Sequence, residues 1–301
     1  MKVSVIMPMY NRESVVKEAV ESILNQTMGD LELIVLDDCS TDHSVEVVES
    51  IRDSRVRLVK APFKTNIPML RNAGLGMAQG EYVGYMDSDD IAAPVRLELE
   101  CAFLDENPEY GVVSGYHRTF GKSESLVTLP LTHEEIVGAL PVRCVMGNGS
   151  CLIRRELAVS VGLRPEYFVC EDYAFWVDLI GRTKFANLDQ VLLHVRYWDQ
   201  QTTTGSWSSP YKLTLRRSIL REIHKTAFER LGVAMSEEEV SRYSYYMGDT
   251  ARFNTYTEAD IPAVRAIIDT VTSRLQAVHP EYVESFRESA ERKIGWICEL
   301  V

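Results

Sequence analysis

The chain lacks the features that would place it in several large classes. Its six cysteines (Cys39, Cys101, Cys144, Cys151, Cys170, Cys298) form no CxxC pair and no small-domain spacing. They read as reduced, mostly buried thiols, which points to the cytoplasm. No window approaches the roughly 18 consecutive apolar residues of a spanning helix. The apolar run in Met1–Pro8 is too short for a signal peptide, so membrane contact is expected only as a peripheral association at the inner face. Positive charge is scarce: 32 Lys and Arg stand against 44 Asp and Glu, a net charge of −12. That balance argues against nucleic acid, whose phosphates are gripped by clustered cations. GxGxxG, GxSxG, HExxH and Walker loops are all missing, which removes the dinucleotide, hydrolase-elbow, zincin and P-loop chemistries.

What remains is a globular composition, 46% hydrophobic and 25% charged over 301 residues, with ample material for a core. The acidity is uneven. Residues 1–205 hold 19 basic and 30 acidic side chains, whereas residues 206–301 hold 13 and 14. The acidic excess therefore serves the first two thirds.

Strand and helix patterns alternate over the first hundred residues. Val3–Met7, Leu31–Leu36, Val56–Val59 and Tyr82–Met86 are short apolar runs fit for buried strands. Helices are expected from Val15 to Leu24, capped by Gly29, then over Ser40–Ile51 and near Met69–Ala78. Such alternation implies parallel pairing with ligands at the carboxyl ends of the strands. From Pro94 the pattern is mixed: a helix through Asp105, strands at Gly111–Tyr116, Ser150–Ile153 and Val191–Tyr197, and a helix over Asp172–Gly181. Thr132 with Glu135 and Ser236 with Glu239 spell capping boxes. A boundary near Trp207–Pro210, with Ser209 as cap, opens an all-helical tail. This gives a domain over 1–205, halves 1–106 and 107–205, and a helical region over 206–301. Exposed stripes on the terminal helices allow a homodimer contact, and Arg216, Arg217, Arg221 and Lys225 form a basic face that is either solvated or membrane-facing.

Two acidic clusters end strands, Asp37-Asp38 and Asp87-Ser88-Asp89-Asp90. In a parallel sheet both open onto one edge. Either they are turn formers, or a divalent cation relieves their mutual repulsion and bridges to a diphosphate. After the first strand, Tyr10 reads equally as a core aromatic or as support for a flat base. Glu171-Asp172 reads as a helix start, and a carboxylate there can also serve as a base.

Taken together, Val5–Asn11, Ser22–Thr27, Leu36–Asp42, Arg71–Gly74, Asp87–Asp90 and Glu171–Trp176 resemble the family 2 glycosyltransferases, in that family's order and over residues 1–203. The resemblance implies an α/β GT-A fold with a mixed, mainly parallel sheet and a C-terminal helical extension. It implies inverting transfer from a nucleotide-diphospho-sugar, expected to be a UDP-sugar, to a saccharide or lipid-linked saccharide. Carried over by position, Pro8, Tyr10 and Asn11 line the nucleoside pocket and Asp38 bonds the base edge. Arg71, Asp87 and Ser88 lie along the donor, Asp87 and Asp89 hold Mn²⁺ or Mg²⁺, and Asp172 is the general base. Two departures stand out. Where the family often has a metal-binding His, this chain has Trp198, which leaves Asp199 or water as a substitute ligand, or a metal held mainly by Asp89 and the diphosphate. The segment Asn66–Arg71 is short and contains Pro68, which suggests a stiff loop. Trp198 leaves room for a degenerate member that binds without transferring. A nucleotidyltransferase is a third reading, which the Asp37-Asp38 and Glu171-Asp172 pairing fits poorly.

Overall fold

The computed structural model describes residues 1–198, 210–248, 254 and 256–300. The chain divides into two compact units. The first comprises Met1–Leu129, Met146–Glu171 and Thr183–Asp199; the second comprises Pro130–Val145, Asp172–Arg182 and Gln200–Val301.

The chain opens with β1 (Val3–Met9), α1 (Val16–Leu24), β2 (Leu31–Asp37), α2 (Ser44–Ser50), β3 (Val56–Lys60), α3 (Ile67–Met77) and β4 (Tyr82–Tyr85). Next come β5 (Ile91–Ala92), α4 (Arg96–Glu106), β6 (Tyr110–Gly121) and β7 (Ser125–Val127). α5 (His133–Ala139) belongs to the second unit, β8 (Leu152–Arg154) and α6 (Arg155–Val161) to the first. α7 (Glu171–Asp178) carries its first residue in the first unit and the rest in the second, and β9 (Lys184–Tyr197) completes the sheet. The tail holds α8 (Pro210–Arg230), α9 (Glu237–Met247), α10 (Asp260–Val278) and α11 (Val283–Glu299).

The first unit is built on one mixed sheet in the order β3-β2-β1-β4-β8-β6-β9-β5, with β7 hydrogen-bonded to β6. The β3-β2-β1-β4 half is parallel throughout. Both β1 and β2 are buried along nearly their whole length, which explains their uninterrupted apolar runs: helices cover both faces. Val16, Ala19, Val20 and Ile23 turn the buried face of α1 onto the same core as Val5, Leu33 and Val35. Each such side chain contributes about 1.5–3 kcal/mol on burial. Pro8 lies beyond the last residue paired with β4, Ile6, where a missing N–H donor is tolerated.

Several boundaries differ from the sequence pattern for identifiable reasons. α1 ends at Leu24 with Asn25 as its cap, so Gly29 is a loop residue five positions later. α2 starts at Ser44 because the preceding amides are already used. Ser40 N–H donates to the Asp37 carboxylate at 3.2 Å, Thr41 N–H to Asn11 Oδ1 at 2.8 Å, and His43 N–H to Glu13 Oε2 at 2.8 Å. Asn66 caps α3 through Met69 N–H, and Pro68 lies in the first helical turn. There an N–H would be unsatisfied anyway, so Pro68 stiffens a helix start rather than a loop. β6 and β9 run much longer than their apolar cores and pair in parallel through register shifts near Gly115 and Tyr116.

The second unit is helical. Both capping boxes form, Thr132 with Glu135 on α5 and Ser236 with Glu239 on α9. α8 begins at Pro210; its expected cap Ser209 and the candidate ligand Asp199 lie outside the described residues. On α8, Arg221 and Lys225 both pair with Glu237, which partly neutralises the basic face.

Candidate active site

The carboxyl ends of β1, β2 and β4 lie side by side, with Met9 opposite Asp37 and Ile6 opposite Tyr85. Both acidic clusters therefore open onto one sheet edge, as the alternating pattern requires. The loops that follow β1 and β2 are tied to each other and hold left-handed residues, Asn11 at φ 51° and Cys39 at φ 59°. Asparagine takes that conformation easily and cysteine rarely, so the backbone at Cys39, next to the Asp38 carboxylate, is strained.

The two members of the first acidic pair have different environments. Asp37 is the last residue of β2, its carboxylate accepting Ser40 N–H from the loop that follows. The buried Asp38 carboxylate accepts from Thr65 N–H at 2.7 Å and Thr65 Oγ1 at 3.1 Å through Oδ1, and pairs with Lys64 Nζ at 2.8 Å through Oδ2. Tyr10 is exposed, not a core aromatic, and the Lys64 ammonium lies against its ring. Asn11 follows it and spends its amide on Thr41, and Pro8 sits in β1 opposite Leu36. The structure thus brings Tyr10 and Asp38 together, joined by Lys64.

Arg71 projects from α3 and is 2% exposed. Its Nη2 donates to Asp87 Oδ1 at 3.0 Å and its Nη1 to Glu171 Oε1 at 2.8 Å. With the Asn148 amide oriented to its network, Asn148 Oδ1 accepts from both nitrogens at 2.7 and 2.9 Å. The guanidinium also lies 5.3 Å from the Tyr85 ring centre. Its planar fork suits such a multi-point role: Arg71 fixes Asp87 from beneath. Glu171 and Asn148 were not among the expected site residues: Glu171 lies inside the Glu171–Trp176 motif, but nothing local ties it to Arg71, 100 positions away, and no motif marks Asn148.

Asp89 is held just as firmly. Its Oδ2 accepts from Trp198 Nε1 at 3.1 Å and lies 3.3 Å from Arg12 Nε. Ser88 and Asp90 are buried, and Asp90 Oδ1 accepts from Arg196 N–H at 2.9 Å. A β-carbon on Gly149 would lie 3.9 Å from Asp87 Oδ2 and 3.8 Å from Asp90 Oδ2, so these carboxylates converge. Burial raises the Asp89 carboxyl above its usual range, and the Asp87 charge adds to it, opposed by Arg12 and Trp198. Asp90 is raised by burial and then by Asp87 and Asp89. Beneath the cluster, buried Arg96 donates to the carbonyls of Tyr85, Gly149 and Cys151, fixing the strand ends that carry it.

Among the described residues, no group of three or more His, Cys, Asp or Glu is arranged to hold a metal ion. Asp87 and Asp89 nevertheless fit a hard divalent cation. Each keeps an oxygen not used by Arg71, Arg12 or Trp198, and crowded carboxylates gain from a positive neighbour. Mg²⁺-type ions are commonly held by one or two carboxylates with the rest supplied by phosphates and water.

Asp172 belongs to the second unit. It is the second residue of α7, and its Oδ1 accepts Tyr173 N–H at 2.7 Å. The helix-start reading of this residue is thus realised, and its basic role stays an expectation. His194 pairs within β9 opposite Ile91 and Arg118, as a strand histidine.

Comparison with known proteins places this geometry in context. The family model described as glycosyl transferase family 2 matches residues 4–222. The UDP-Glc:alpha-D-GlcNAc-diphosphoundecaprenol beta-1,3-glucosyltransferase WfaP of Escherichia coli is 27% identical over 233 residues, covering 76% of this chain and 89% of that one. The structure of S. aureus TarS 1-349 in complex with UDP-GlcNAc matches with a TM-score of 0.65 at 19% identity, covering 97% of this chain and 91% of that one. Mannosyltransferase PcManGT from Pyrobaculum calidifontis, in complex with GDP-Man and Mn²⁺, matches with a TM-score of 0.57 at 17% identity, covering 98% and 87%. At these identities the structural likeness speaks for the fold alone, which is GT-A.

Proposed function

The chain belongs to glycosyltransferase family 2, and from that premise we propose inverting transfer of a hexosyl or N-acetylhexosaminyl group from a UDP-sugar to a saccharide or lipid-linked saccharide. The observation that carries this reading is the gathering of Asp38, Asp87 and Asp89 at one sheet edge, each carboxylate held by a dedicated partner. The printed activity of WfaP, transfer from UDP-Glc to a lipid-linked sugar, supports this class of donor and acceptor and a role in surface polysaccharide or glycolipid assembly.

In this reading Tyr10 stacks on the base and Asp38 accepts its ring N–H, while Pro8 and Asn11 shape the pocket wall. Arg71 keeps Asp87 in place, and the buried Ser88 stands in sequence between the two residues whose carboxylates would hold Mn²⁺ or Mg²⁺. A bound divalent cation would offset negative charge on the departing diphosphate. Asp172 takes the acceptor hydroxyl proton as that oxygen attacks the anomeric carbon, opposite the breaking bond to the diphosphate. Pairing of two copies through the terminal helices and attachment to the inner membrane face belong to the same proposal. Among the described residues no helix is long and apolar enough to cross a membrane.

A thermal-shift panel of nucleotide sugars with and without Mn²⁺ tests the donor and cation together. Stabilisation by a UDP-sugar that depends on Mn²⁺ is expected. A panel in which no uridine nucleotide stabilises the protein would overturn the donor assignment. Stabilisation without transfer to any acceptor would favour the binding-only alternative.

A further inference from the structure

The function above gives Arg12 no part, yet its guanidinium is fixed against one of the two carboxylates that would hold the cation. Asn11, left-handed at φ 51°, turns the chain just after β1, and the next amide, Arg12 N–H, donates to Ser44 Oγ at 2.6 Å. The side chain folds back over this turn. Its Nη1 donates to the carbonyl oxygens of Tyr10 at 3.2 Å and Asn11 at 3.1 Å, and its Nε lies 3.3 Å from Asp89 Oδ2. The Arg12 and Asp89 side chains are 13% and 15% exposed, so solvent ions screen the pair weakly.

Asp87 and Asp89 are thus each matched with an arginine before any cation arrives, Asp87 with Arg71 and Asp89 with Arg12. Arg71 divides its charge between Asp87 and Glu171. Arg12 holds Asp89 together with the neutral indole of Trp198. A guanidinium keeps its charge at any working pH and has no lone pair to offer. Toward a divalent ion at Asp89 it can therefore act in one way, by repulsion. A nucleoside diphosphate brings negative charge that offsets this repulsion. The charge balance consequently favours a cation accompanied by a diphosphate over a cation alone.

We propose that Arg12 is a positioning residue that acts on Asp89 through charge as well as orientation, keeping the carboxylate pair from taking up a divalent cation until a nucleoside diphosphate is present. Cation and donor then bind as a coupled pair. This role rests on the reading of Asp87 and Asp89 as the carboxylates that hold the cation.

Titration calorimetry of MnCl₂ alone, and of UDP with and without Mn²⁺, tests it on the unaltered protein, Arg12→Gln and Arg12→Lys. In the unaltered protein Mn²⁺ should raise UDP affinity by about 10-fold or more, and by reciprocity UDP raises Mn²⁺ affinity by the same factor. Arg12→Gln keeps donors for the two carbonyls and loses the charge. It should bind Mn²⁺ alone about 10- to 100-fold more tightly than the unaltered protein, the scale of repulsion between a divalent ion and a unit charge a few ångströms away in water. Arg12→Lys keeps the charge and should stay within a few-fold of the unaltered protein. A residue that merely held the loop would give the opposite sign, with Mn²⁺ binding weakened in both variants. Mn²⁺ affinity unchanged or weakened in Arg12→Gln, or tightened equally in Arg12→Lys, overturns the role of Arg12 and leaves the cation site standing. The coupling measured on the unaltered protein does not depend on either variant folding: Mn²⁺ that binds without changing UDP affinity overturns the proposal by itself. An unaltered protein that binds no Mn²⁺, with or without UDP, overturns the cation site and Arg12 with it.

Discussion

The indole N–H of Trp198 donates to Asp89 Oδ2 over 3.1 Å, and Arg12 Nε approaches the same oxygen to 3.3 Å while its guanidinium lies 5.5 Å from the indole ring centre. The three side chains form a closed unit around one carboxylate oxygen. An indole cannot ligate a cation, but it can fix a carboxylate proposed to do so. On the proposed function, the departure at position 198 is an alternative means of orienting Asp89, not a missing part. Trp198→Phe keeps a ring under Arg12 and deletes the donor. A hydrogen bond to a charged group is worth about 1.5–3 kcal/mol, so kcat/KM should fall roughly 10- to 100-fold. The apparent Mn²⁺ requirement should change with it. Unchanged transfer kinetics would show that Asp89 is oriented by Arg12 alone.

Asp172→Asn removes the proposed base while keeping the size and hydrogen-bonding reach of the side chain. Its Oδ1 still accepts Tyr173 N–H, so α7 should start as before. Turnover should drop by about 100-fold or more, the usual worth of a positioned base. UDP affinity measured by calorimetry should stay within a few-fold. Near-normal turnover in this variant would assign the base elsewhere.

Arg71 is a different kind of residue, one whose removal harms both fold and site. It bridges Asp87 and Glu171 from a position 2% exposed. Breaking a buried pair by deleting one partner typically costs about 3–5 kcal/mol. Arg71→Met should lower the urea-unfolding free energy on that scale. Arg71→Lys keeps the charge but offers a point donor in place of a fork. It should recover part of the stability and little of the transfer activity. Equal activity in Arg71→Lys and the unaltered protein would mean that the fork geometry at Asp87 does not matter.

The sheet edge was legible in the sequence because its signals are local. Val3–Met7, Leu31–Leu36 and Tyr82–Met86 each end in a loop whose chemistry is written in the next few residues, and parallel pairing then brings those loops together. What sets the side chains in place was not legible. Asp38 meets Lys64 and Thr65 across 26 and 27 positions, and Arg71 reaches Asp87 and Glu171 across 16 and 100. Arg96 is fully buried, against the usual exposure of arginine; its one sequence signal is Glu100 a helical turn later. β9 concealed its first half because Lys184, Asn187, Asp189 and Gln190 break the apolar alternation. Long β6–β9 pairing, not local propensity, makes that segment a strand.

Arg96 and Glu100 also give a pH dependence that can be signed. Both are 0% exposed, with Nε 3.3 Å from Oε2, and Glu100 Oε1 has no partner among the described residues. Burial pushes the Glu100 carboxyl up to about 7, against the attraction of Arg96. In the unfolded chain the group returns to its ordinary value near 4.5. Between these values the folded protein binds the proton that the unfolded chain has lost, so unfolding free energy falls as pH rises. The contribution is fully present below about pH 4.5 and gone above about pH 7, a change of roughly 3 kcal/mol at 1.36 kcal/mol per unit. Glu100→Gln keeps an acceptor for Arg96 and cannot ionise. Urea unfolding across pH 5 to 8 should therefore show the variant gaining on the unaltered protein by about that amount, with the rise centred below pH 7. Parallel curves for the two proteins would mean that Glu100 stays ionised beside Arg96 throughout this range.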